Sequence, residues 1–170
     1  MPETAREALI EIAALLAPDE PAVAERVALA YDDPEGYVRA HADQLGERGI
    51  GEPEPELAWI ALVDALTDHG LLAEVDWREA DADIVDQLRE LRSSPAPESW
   101  AWWPEPNELE TYEFLQLAGD RLGAGGTALA VLDIESDCYP LVLLPAERGA
   151  ELVALAAKTD FTAEVLTATE

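Results

Sequence analysis

The stretch TALAVLDIESDCYPLVLLP, residues 127–145, decides the fold. Ala128 to Ile134 and Tyr139 to Leu144 are apolar runs rich in Val, Leu and Ile, each too short for an independent helix. Glu135, Ser136 and Asp137 between them suit a turn. The pattern predicts an antiparallel hairpin over about 127–144. Gly123, Gly125 and Gly126 break the chain before it, and Pro145, at a first helical position, starts a helix after it. The sheet is expected to be entered from one helix and left into another.

On the C-terminal side, AERGAELVALAAK at 146–158 predicts a helix burying Leu152, Val153 and Ala156, and Phe161 to Leu166 supplies a last short strand. On the N-terminal side, a helix from about Glu108 to Leu122 carries Leu109, Tyr112, Leu115 and Leu117 as its apolar set. Before it, WAWW at 100–103 reads as an extended stretch in which Trp100 and Trp102 share a face. Asp81 or Asp83 caps a helix that turns Ile84, Val85, Leu88 and Leu91 inwards. LLAEVDW at 71–77 alternates as a strand with Leu71, Ala73, Val75 and Trp77 on its buried side and the other face wet. ELAWIALVDALTDHG at 56–70 is the strongest helix in the sequence, with Gly70 at the position that favours a left-handed cap.

The first part of the chain is helical. Helices are expected from Thr4 to Ala17, from Pro21 to Tyr31, and from Pro34 to Leu45, the last lying on the surface because only Tyr37, Val38 and Leu45 are apolar. GERGIGEPEPE at 46–56 reads as a linker with little to bury. The expectation is a single α+β domain over 1–170, with a helical N-terminal part at 1–46 and an antiparallel sheet covered on one face by helices.

Thirty-seven acidic residues against ten basic ones give a formal net charge of -27, which repels nucleic acid and anionic membrane surfaces. Such acidity reads as a solvated, soluble surface, as salt adaptation, or as a face that docks on a basic protein partner. Lys158 is the only lysine and Cys138 the only cysteine, so no intramolecular disulfide forms. The N-terminal segment carries Glu3, Glu7 and Glu11 rather than a basic start, and no apolar stretch approaches the roughly 20 residues that cross a bilayer. A cytoplasmic location is the default expectation, and no cofactor is called for.

Three groupings bear on chemistry. Asp133, Glu135 and Asp137 alternate around the hairpin turn and are weak candidates for a magnesium or calcium site, although a turn explains them without metal. Cys138 beside Asp137 is a poor thiolate, and neither His41 nor His69 has a motif tying it to the thiol. Among the five tryptophans, Trp59 and Trp77 fit inward faces. Trp100, Trp102 and Trp103, rimmed by Glu98, Glu105 and Glu108, are the candidate binding surface, with Glu105 as its acidic member. The alternative is that these rings simply cover a sheet face.

The segments WIALVDALTDHGLLAEVDW at 59–77, SDCYPLVLLP at 136–145 and the helix behind them resemble an uncharacterised bacterial family of small cytoplasmic proteins, the domain of unknown function of the 6630 type. In arrangement the hairpin-then-helix element is also similar to α+β immunity proteins of bacterial toxin systems. Neither resemblance implies a catalytic residue. Two functions remain open: a non-enzymatic protein-binding module, in an immunity-like role, and a carboxylate- or metal-dependent hydrolase using Asp133, Glu135 or Asp137 with His69.

Overall fold

The computed structural model describes residues 4–104, 108–134 and 136–167. Helices α1 (Ala5–Leu16) and α2 (Pro21–Asp32) form where the apolar spacing places them. Thr4 Oγ1 accepts from the Glu7 N–H at 3.1 Å, and Pro21 stands in a first turn, where its missing N–H would have no helical partner. The third expected helix is two short ones, α3 (Pro34–Ala40) and α4 (Ala42–Glu47), divided at His41. Neither merely rests on the surface. Tyr37 and Leu45 are completely buried, and Arg26 Nε donates to the Tyr37 hydroxyl at 3.1 Å, so one large side chain docks each helix.

Helix α5 (Leu57–Asp68) is buried at every residue from Leu57 to Leu66, as a run that is apolar on every side but for Asp64 must be. It ends at Gly70, whose φ of 70° is the left-handed conformation expected there. Strand β1 (Leu72–Asp76) follows, then α6 (Asp81–Arg89), a 3₁₀ turn over Pro97–Trp100, α7 (Thr111–Ala124), β2 (Thr127–Asp133) and β3 (Cys138–Pro145). A 3₁₀ turn over Ala146–Arg148, α8 (Gly149–Ala156) and β4 (Thr162–Val165) follow. The fold is α+β, an open four-stranded antiparallel sheet in the order β1-β3-β2-β4.

The hairpin at 127–144 is the centre of that sheet. Val131 lies opposite Leu141 and Thr127 opposite Pro145, so Pro145 closes a strand instead of opening a helix. Ala128, Ala130, Leu132, Val142 and Leu144 pack with α1, α2, α5 and α8 in one core, while Leu129, Val131, Leu141 and Leu143 pack with α6 and α7 in a second. The sheet is therefore covered on both faces, where cover on one was expected. Unbroken apolar runs such as Ala128 to Leu132 mark strands buried on both sides.

Several inward faces differ from the sequence pattern. Ala80, not Asp81 or Asp83, holds the cap position of α6, and the two aspartates sit in its first turn, where the helix dipole favours them. Helix α7 buries Phe114, Leu115, Ala118 and Leu122, whereas Leu109 precedes the helix and is 41% exposed. In α8, Leu155 is buried and Val153 points outwards. A Cβ on Gly119 would meet the Leu166 carbonyl oxygen at 2.1 Å, so α7 lies backbone to backbone on the residue just after β4, at a position without a side chain.

The 46–56 stretch does more than connect. Ile50 is buried, and Arg48 donates to Asp64 Oδ1 at 2.7 Å and to Glu74 Oε1 at 2.6 Å, joining α5 and β1 through one guanidinium. Asp64 is 3% exposed; burial pushes its carboxyl above the usual range despite Arg48, and the two carboxylates hold Arg48 firmly in its charged form. Beside it, Arg26 links Tyr37, Gln44 and Asp68, at 2.6 Å for the last. Among the described residues no helix is long and apolar enough to cross a membrane.

Candidate docking cleft

Strand β1 ends at Asp76, and the next four residues turn sharply. Asp76 Oδ1 accepts from the Arg78 N–H at 3.0 Å, and the Asp76 carbonyl accepts from the Glu79 N–H at 2.9 Å. The Trp77 N–H still donates to the Asp137 carbonyl at 2.9 Å. Its indole, expected in the core, is 46% exposed. The Arg78 guanidinium lies over that ring, 4.2 Å from its centroid.

Opposite this turn stands the entry to α7, with Leu109, Glu110 at the cap position and Thr111. Thr111 Oγ1 donates to the Glu79 carbonyl at 3.1 Å and ties the two walls together. Between them is a cleft of about 580 Å³ floored by Phe114. Glu79, Asp81 and Glu110 line it, and Asp83 and Glu113 stand in the first turns of the two helices that begin there. Both helix N-termini would attract an anion by themselves. Their own carboxylates offset that field, leaving Arg78 as the cation among the lining residues.

WAWW is not extended. Trp100 ends the 3₁₀ turn and is 4% exposed, while Trp102 and Trp103 are half-buried, so the exposed ring expected here is found at Trp77 instead. Trp102 and Trp103 pack on Phe114 with ring centroids 6.4 and 5.6 Å apart, which places them behind the cleft floor. Glu98 is exposed beside them, and Glu105 lies outside the described residues. Nothing in the residue pattern short of the WR pair after an alternating strand signals Trp77, because alternation does not tell where a strand stops.

Asp133 ends β2 and Asp137 lies in the turn, while Glu135 is outside the described residues. Among the described residues no three His, Cys, Asp or Glu side chains gather to hold a metal ion. Cys138 faces Asp76 across β3 and β1, and His69 lies beyond the other end of β1, so about 13 Å of strand separates their neighbourhoods. His69 Nδ1 is 3.5 Å from Glu20, and His41 stacks on Tyr37 with centroids 4.4 Å apart.

Burial pushes the Cys138 thiol up, and Glu74 and Asp76 push it further. Less thiolate at a given pH means slower alkylation. At pH 7.5 Cys138 is expected to react with iodoacetamide several-fold more slowly than free cysteine, measured by mass spectrometry. A rate equal to or above that of free cysteine would contradict this placement.

The site and sheet define a class: an α+β protein with a four-stranded antiparallel sheet between helices and an acidic, aromatic cleft at the end of its first strand. The chain belongs to the family described as Domain of unknown function (DUF6630), whose model matches residues 8–166. No curated protein and no solved structure matches it.

Proposed function

We propose that this chain is a non-enzymatic protein-binding module that docks a basic partner in the cleft between Trp77 and Leu109. One observation carries the reading. Of the five large apolar side chains that stand exposed among the described residues, Trp77 and Leu109 flank a single cleft whose rim is carboxylate. A net charge of -27 steers a basic surface towards it. Trp102 and Trp103 contribute from behind, by fixing Phe114. An immunity-type role, with the acidic face covering the basic surface of a toxin, falls within this proposal, and a cytoplasmic location goes with it.

Affinity capture with the wild-type chain and with the Trp77→Ala/Leu109→Ala variant tests the proposal. Both positions are exposed, so circular dichroism should be unchanged. The expected result is a partner of high isoelectric point whose affinity, measured after purification, falls about tenfold or more in the variant. Equal affinity for the two chains, or an acidic partner, removes the support.

A further inference from the structure

We propose that Arg78 is an internal occupant of the cleft, lying on Trp77 where an arginine of the partner belongs and competing with it. This rests on the reading of the cleft as a docking face. The ring already shows its preference in this molecule: a guanidinium sits 4.2 Å from the Trp77 centroid, well within the roughly 6 Å over which a cation is attracted to an aromatic face. A flat guanidinium stacks on indole and forks to carboxylates, which an ammonium does not do. Glu79 and Glu110 line the same cleft and supply carboxylates for that fork.

Other occupants fit less well. An acidic segment meets three lining carboxylates, those of Glu79, Asp81 and Glu110, with Asp83 and Glu113 in the adjoining first turns, against the one guanidinium of Arg78. A second copy brings another net charge of -27 to the same surface. A purely apolar segment would take water from the charged rim and bring no donor to replace it. An arginine-bearing basic segment covers Trp77 and Leu109 and pairs the rim, provided Arg78 swings off the ring. Arg78 is exposed, and its fixed contact is the backbone N–H bond to Asp76, so the side chain can move while the turn stays.

Calorimetric titration of the full chain with hexa-arginine and with hexa-lysine tests this. Arg78→Ala vacates the ring and removes one positive charge. Arg39→Ala, an exposed arginine in α3, removes the same charge elsewhere. Arg78→Ala is expected to tighten hexa-arginine about three- to fivefold beyond the gain in Arg39→Ala. Hexa-lysine should gain less than hexa-arginine from Arg78→Ala, because loss of a nearby charge helps any cation whereas the vacated ring favours a guanidinium. Equal gains for the two peptides from Arg78→Ala, or equal hexa-arginine gains in the two variants, would overturn the competition by Arg78. If Trp77→Ala still weakens hexa-arginine in that case, the docking face stands and only the internal occupant is lost. If Trp77→Ala binds as the wild type does, or the wild type does not bind at all, the docking reading falls with it.

Discussion

Replacing Arg48 by methionine is expected to cost about 3–5 kcal/mol of stability, the penalty for stranding buried charge. That is a large share of the roughly 5–15 kcal/mol that holds a domain of ordinary stability together. Arg48 is the shared partner of Asp64 and Glu74, and the Asp64 side chain is only 4% exposed. Removing both carboxylates as well should restore most of the loss, because an apolar replacement of a buried ion group is often neutral or better. The Arg48→Met/Asp64→Leu/Glu74→Leu chain is therefore expected within about 1 kcal/mol of wild type by urea unfolding.

The deficit should also depend on pH. Asp64 already has its carboxyl raised by burial, and losing Arg48 raises it further. A raised folded-state value means that the native chain takes up the proton first as pH falls. Its contribution is most favourable below the unfolded value and is lost as pH rises through the folded one. Arg48→Met should accordingly be closer to wild type at pH 5 than at pH 7. A loss below about 1 kcal/mol, or a triple variant no better than the single one, would contradict the role given to this guanidinium.

Trp59→Ala is the second large effect, expected at about 3–5 kcal/mol. The indole is fully buried, stacks on Phe161 with centroids 5.1 Å apart and planes 10° from parallel, and its Nε1 donates to the Asp133 carbonyl at 2.9 Å. It thereby fastens α5 to the end of β2 and to the segment leading into β4. Trp59→Phe keeps a ring but loses the donor, and about 1–2 kcal/mol should go with it. Thermal and urea unfolding read both values; an alanine variant as stable as the phenylalanine one would mean that the cavity is not formed as described.

The elements with strong local signals were legible. The hairpin at 127–144 carries its turn residues between two apolar runs, Thr4 and Glu7 announce α1, and Gly70 ends α5 with a positive φ. What depends on distant partners was not. Asp64 inside an otherwise apolar helix is a charge that must be compensated, but the compensating Arg48 sits in a stretch that looks like a linker. Cover on both faces of the sheet was written in the unbroken runs of β2 and β3, yet the alternation in β1 suggested a wet side.

The candidate site was half legible. An exposed tryptophan with an acidic rim was expected, but at Trp100, Trp102 or Trp103. Pro97 opens a 3₁₀ turn that ends at Trp100, Trp103 packs on Phe114, and the strand that should have buried Trp77 stops one residue short of it.

The docking claim is tested most directly by amide and indole chemical-shift mapping of the isotope-labelled chain titrated with hexa-arginine. The largest changes are expected on the Trp77 indole and on the backbone from Trp77 to Asp81 and from Leu109 to Phe114. Changes spread evenly over acidic positions such as Glu25, Glu35 and Glu90, or centred on Asp133 and Asp137, would contradict it.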